Sequence, residues 1–475
     1  HRYFMQTSNL LVRGFEPVRQ VNSSSLGTAD IMHKHVPSIV DKFFTGADAS
    51  QGFLLSDAVS LVAALEQLIF DSESKLLGNV YEKLQESQQD SVSHETLFQL
   101  LESYVVHWLL DSEDERAIEF ALKNQTVLDE VLPHWQQIRS FLKGMIKSME
   151  FERQRRPQPG HARVAMTHRY SFDEAHEAAG SITRSFGSYW DTECRAIKAS
   201  LVELDKRGTG RVSLAEFYGA NEDGEWRFGE SEEYLRQLGA LDETSFARGK
   251  QVIIPNYLQG ASNCIVSTPG YLICCRNECE AILTEIEDTV GEAVAQPDMV
   301  LKLVGNMSNY EDEVPNLDVG LSDQLHRIAE THGGKVPLHG RLFSQWLHYV
   351  FPRECPFPHK AGSAAAMTPT EFGEEYRVSE HEVASHAAMR NGTGAAVFDT
   401  AEHHWMTQWS EEEELHADYS LQLSGPWEGG GRDFAAVGAL IVAAALFWVR
   451  ASRSSGKTHQ TTLLGTGFDQ KVHLV

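Results

Sequence analysis

The chain has 475 residues, 42% of them hydrophobic and 9% aromatic, enough for two or three domains with buried cores. Its 67 acidic residues outnumber the 41 Lys and Arg, leaving a formal charge of −26. That balance excludes nucleic acid as a main partner, because phosphate binding needs a cationic face; it suits a well-solvated surface that attracts cations.

Residues 1–150 read as a helical domain. The segments AVSLVAALEQLIF, ETLFQLLESYVVHWLL and DEVLPHWQQIRSFLKGMIKSM repeat apolar residues at intervals of three and four. The chain begins with His1, so an upstream segment is expected. Residues 151–168 form a basic, proline-bearing linker. Pro157, directly after Arg155 and Arg156, disfavours processing at that basic run.

Residues 169–260 hold two helix–loop–helix units, and 261–360 form a helical domain carrying most of the cysteines. The six cysteines are Cys194, Cys264, Cys274, Cys275, Cys279 and Cys355. Their even count and clustering point to disulfides in an oxidising compartment, with about fifteen pairings open. A zinc site fits poorly, since no C-x2-C pair is present. The prolines of FPRECPFPH preclude a regular helix there. Residues 361–433 read as an acidic Ala/Gly/Glu-rich stalk, with TEFGEEYRVSEHEVASHAAM as a helical stretch.

Residues 434–450 are expected to form one transmembrane helix. The run FAAVGALIVAAALFWV carries no charge, is apolar all the way round, and has Trp427 and Trp448 at interfacial places. It is short for a span, so it needs flanking residues or a thin membrane. Arg450, Arg453 and Lys457 follow it, whereas acidic residues precede it. The positive-inside rule then puts the tail, 451–475, in the cytosol and the N-terminal bulk in a lumen or outside the cell, a type I single-pass arrangement. Sequons at Asn22, Asn124, Asn306 and Asn391 agree with a glycoprotein on that side. Ala435, Ala439 and Ala443 make a small-residue stripe through which two spans could dimerise; the protein partner is unknown.

The most informative stretch is LVELDKRGTGRVSLAEFY, residues 201–218. On the helix entering it, Trp190, Cys194, Ile197, Leu201 and Leu204 share one face. The stretch resembles the EF-hand superfamily over one twelve-residue loop, Asp205 to Glu216, and its flanking helices. The resemblance implies a mainly α fold of helix–loop–helix units with Ca2+ as the bound ion. Asp205, Thr209, Arg211 through its carbonyl, Ser213 through a water, and Glu216 would be the ligands. Gly210 would make the sharp turn and Val212 the bridge to a partner loop. Arg207 departs from the family, standing where Asp or Asn is usual, and a guanidinium has no lone pair to offer. With two carboxylates in the loop, affinity is expected at the weak end, about 10⁻⁴–10⁻³ M.

EF-hands come in pairs, and GKQVIIPNYL mirrors GRVSLAEFY, with Val252 or Ile253 at the bridge and Asn256 near the closing position. This second hand has lost its ligand register. Fainter echoes stand at residues 329–347, near Gly52 and near Val92. An array of such units would explain all three, and chance recurrence of a helical pattern explains the two near Gly52 and Val92 equally well.

No enzyme signature emerges. In HEVASH, His381 and His386 are five apart and do not share a helix face, so the zinc-protease pattern fails. A Cys/His nucleophile pair built on Cys355 with His339, His348 or His359 is the enzymatic alternative, which a disulfide at Cys355 would end. A non-catalytic adhesion or scaffold protein with a silent hand is the other.

Overall fold

The computed structural model describes residues 4–6, 9–13, 55–110, 115–132, 135–155, 169–219, 228–244, 249–268, 271–307, 315, 317–360, 362–364, 367–392, 406 and 408–415. Those residues are mainly helical. They divide into two units. One contains most residues up to Ala281 together with Phe351–Trp409; the other is built on Ile282–Val350 with residues 410–415.

In the larger unit, α1 (Leu55–Lys83), β2 (Val92–Ser93) and α2 (His94–Leu110) form one helix–strand–helix motif. Two short helices follow, α3 (Glu115–Lys123) and α4 (Gln125–Val131). A second motif is α5 (Trp135–Arg155), β3 (Arg169–Tyr170) and α6 (Phe172–Leu204). The two are joined by an antiparallel bridge, Val92 opposite Tyr170. A capping box starts helix α6. Ser171 caps the backbone N–H of Glu174, and the Glu174 carboxylate returns the bond to the Ser171 N–H.

The 33-residue length of α6 serves two cores. Its first half buries Ala175, Ala179, Ile182 and Phe186 against Leu77, Tyr81, Tyr104, Trp108, Leu142 and Ile146. Its second half buries Leu201 in another cluster with Val212, Phe217, Leu235, Val252 and Tyr257. Each such aliphatic or aromatic burial is worth about 1.5–3 kcal/mol. The core therefore does not divide at the basic linker, because α6 is the exiting helix of one motif and the entering helix of the next.

That next motif continues through β4 (Arg211–Ser213) into α7 (Leu214–Phe217). Its partner is α8 (Glu232–Gln237), β5 (Leu241–Asp242), β6 (Gln251–Ile253) and α9 (Ile254–Leu258). Strand β6 lies between β4 and β5, with Val212 opposite Val252. Beyond it, β7 (Ile265–Thr268) and β8 (Tyr271–Ile273) make a hairpin to which β1 (Leu10–Val12) adds an edge.

Three disulfides fill the expectation of paired cysteines: Cys194–Cys275, Cys264–Cys274 and Cys279–Cys355.

The smaller unit repeats the scheme. Helix α10 (Glu278–Val290), β9 (Val294–Ala295) and α11 (Pro297–Val304) stand with α12 (Val319–Thr331), β10 (Val336–Pro337) and α13 (Arg341–Val350). Strands β9 and β10 pair antiparallel, Ala295 opposite Val336.

Part of the segment expected to be a stalk is built into the fold. Helices α14 (Pro369–Phe372) and α15 (Glu380–Gly392) belong to the larger unit. In the smaller one, Arg341 Nη1 donates to Glu412 O, and Ser410 and Gln345 exchange two hydrogen bonds. No helix among the described residues is long and apolar enough to cross a membrane. The expected span, 434–450, the tail and the sequon at Asn22 lie outside the described residues.

Candidate functional site: the 205–216 loop

Asp205 ends α6, and its backbone N–H donates to Leu201 O and Val202 O. Its side chain, 1% exposed, turns into the loop. Oδ1 accepts from the Thr209 N–H at 3.1 Å and Oδ2 from the Gly210 N–H at 2.9 Å. The acid thus collects two backbone donors that a bend in the chain would otherwise orphan. Gly210 makes that bend at φ +67, where a side chain is disfavoured. A Cβ there would also stand 1.8 Å from the carbonyl oxygen of Pro352.

The remaining expected ligands follow in order. Thr209 O accepts from Arg211 Nη1 at 3.1 Å. Arg211 is buried, with Nε donating to Asp242 Oδ2 at 2.8 Å and Nη2 to Gln408 Oε1 at 2.9 Å. Ser213 caps α7: its Oγ accepts from the Glu216 N–H and donates to Glu216 Oε2 at 2.9 Å. Arg207, the departure from the family pattern, is exposed. Asp205, Thr209, Arg211, Ser213 and Glu216 thus run from the end of α6 through β4 into α7.

What that reasoning missed is Arg353. Its Nε donates to Asp205 Oδ2 at 3.2 Å and its Nη2 to the Asp205 carbonyl at 3.4 Å. The chain therefore brings its own cation to the first acid of the loop. Arg353 sits on a strap, residues 351–360, that is anchored just after it. Glu354 pairs with Lys198 Nζ at 3.4 Å, and Cys355 is bonded to Cys279. Burial would lower the Lys198 pKa, but the Glu354 and Glu278 carboxylates outweigh it and raise the value above normal. Two residues further on, Asn256 brackets the main chain of Phe357, its Nδ2 donating to Phe357 O and its Oδ1 accepting from Phe357 N–H. Asn256, expected near the closing position of a second hand, is thus spent on holding the strap that carries Arg353. No sequence signal marks Arg353, which lies 148 residues from its partner.

Counting from the bridging residue of each motif shows what the other loops hold at the same places. The places of Asp205 and Glu216 hold Gln85 and Thr96, Arg163 and Glu174, Ser245 and Asn256, Asp288 and Met299, and Ala329 and Gly340. Loop 205–216 is the one with an acid at both ends.

No family model, curated protein or solved structure matches this chain. The reading of the site thus rests on its geometry.

The enzymatic alternative loses its nucleophile, since Cys355 is in a disulfide and offers no thiolate. Two of its three histidine companions are separately engaged. His339 Nε2 meets Glu287 at 2.5 Å, and His359 Nε2 meets the Gly239 carbonyl at 2.6 Å.

Proposed function

We propose that the chain is a non-enzymatic, calcium-binding scaffold of the EF-hand superfamily, tethered to a membrane by residues 434–450 with its helical bulk on the lumenal or extracellular side. Calcium has a structural or weak sensing role. The observation that carries this reading is the frame of loop 205–216. An acid at the first place gathers the Thr209 and Gly210 N–H groups, glycine takes the left-handed turn, and Val212 pairs with Val252 of a partner motif. The Asp205, Thr209 and Glu216 side chains, the Arg211 carbonyl and a water held by Ser213 are the oxygen donors a hard cation would use. Binding must displace the Arg353 guanidinium from Asp205, which adds to the weakness expected from only two carboxylates. The three disulfides support an oxidising compartment, and the uncharged run at 434–449 supports the tether.

A second reading is favoured by the anchoring of the residues just after Arg353: the hand is a fold element whose ion has been replaced by a guanidinium, in a scaffold that needs no calcium. Calorimetric titration of the full chain with Ca2+, beside Glu216→Gln, separates the two. Heat at millimolar calcium that disappears in the variant supports the first reading. Equal heats, or none in either protein, leave the second.

A further inference from the structure

We propose a second metal site, away from the calcium loop, in which Glu232, Glu382 and His386 hold one divalent transition-metal ion. Glu232 opens α8, while Glu382 and His386 stand four apart on one face of α15. One carboxylate oxygen of each glutamate and an imidazole nitrogen lie within 4.8 Å of one another. His386 Nε2 is 3.5 Å from Glu232 Oε2.

The surroundings are arranged as an outer shell would be. Glu232 Oε1 is held by Lys250 and by Arg236 Nη2, which leaves Oε2 toward the imidazole. Glu382 Oε1 accepts from the Glu232 backbone N–H at 2.8 Å and from Tyr218 Oη at 3.3 Å. Its Oε2 has no hydrogen-bond partner among the described residues. Each carboxylate is therefore fixed through one oxygen and keeps the other for a ligand, the division seen where outer groups orient metal ligands. The nearby cations do not neutralise the site, because Arg236 also serves Glu233 and Glu243, and Lys250 also serves Glu243.

Two carboxylates and an imidazole suit zinc or a similar borderline ion better than calcium, which takes oxygens. Three protein ligands leave a coordination place for water. The ion would staple α15 to α8, beside Tyr218 at the end of α7. The rejected HEVASH motif hid this possibility: Glu382 and His386 share the face, and the third ligand comes from 150 residues away.

The test uses the full chain with Co2+ as a visible probe and Zn2+ as competitor. Wild type and Glu216→Gln should each develop one absorption band that saturates at one equivalent and is bleached by Zn2+. His386→Ala, and separately Glu382→Gln, should weaken Co2+ binding at least tenfold. Zn2+ should raise the thermal unfolding midpoint of wild type and Glu216→Gln but of neither triad variant. A spectrum and a midpoint shift that persist unchanged in both triad variants, or no saturable band in wild type, overturn the proposal. The calcium reading is untouched by that failure, since it is read at Glu216.

Discussion

The Arg353 guanidinium rests on the Asp205 carboxylate, Nε to Oδ2 at 3.2 Å, and Asp205 is almost wholly shielded from water. A buried acid with a cationic donor resists being left alone. In Arg353→Met, stability in calcium-free buffer should fall by about 1–3 kcal/mol, because Asp205 loses a charged partner but keeps two backbone donors. If calcium occupies the loop, the same variant should bind it roughly tenfold tighter, a gain of about 1.4 kcal/mol. Denaturant melts with chelator and calorimetry with Ca2+ check both halves. A variant that is destabilised and gains no calcium affinity favours the ion-independent scaffold.

Gly210 and Gly249 both sit at φ +67, yet they differ in what surrounds them. Gly249→Ala meets nothing within 4 Å and should lose only the left-handed strain, about 1–2 kcal/mol. Gly210→Ala drives its Cβ into the Pro352 carbonyl, so the strap must shift as well. Its loss should exceed about 2 kcal/mol. Equal unfolding midpoints for the two variants would mean that the strap yields freely.

Arg211 and Asp242 form an ion pair whose side chains are 3% and 1% exposed. Removing one charge strands the other. Arg211→Met alone should cost about 3–5 kcal/mol, whereas combining it with Asp242→Leu should return much of the loss. A double-mutant cycle in urea measures the coupling; strictly additive losses would contradict it.

Glu73 on α1 is buried, and desolvation raises its pKa above the ordinary 4.5, partly opposed by Thr183 and Arg184. The folded state then holds this proton more tightly than the unfolded chain does. Stability from this group is full below the unfolded value and is lost as pH rises through the folded value. Glu73→Gln should therefore be more stable than wild type at neutral pH, with the gap closing as pH falls toward 4.5. Unfolding midpoints across that range provide the measurement, and a gap that widens toward acid would refute the sign.

Local chemistry was legible in the chain itself. Helical periodicity, the glycine turn at Gly210 and the bridge residues Val212 and Val252 are all set by neighbours a few positions apart, where spacing translates directly into geometry. Paired cysteines were expected from their number, but which three bonds form depends on chain segments up to 81 residues apart, and periodicity says nothing about that. The echo near Val92 could not be told from chance until Tyr170 was seen opposite it, because a two-residue bridge leaves almost no trace in either strand. Tertiary structure alone placed Arg353 on Asp205, spent Asn256 on Phe357, and brought Glu232 to Glu382 and His386. In each case the residue type is ordinary on its own. What gives it a role is a partner supplied by a distant segment, and only packing of the whole chain decides which partner that is.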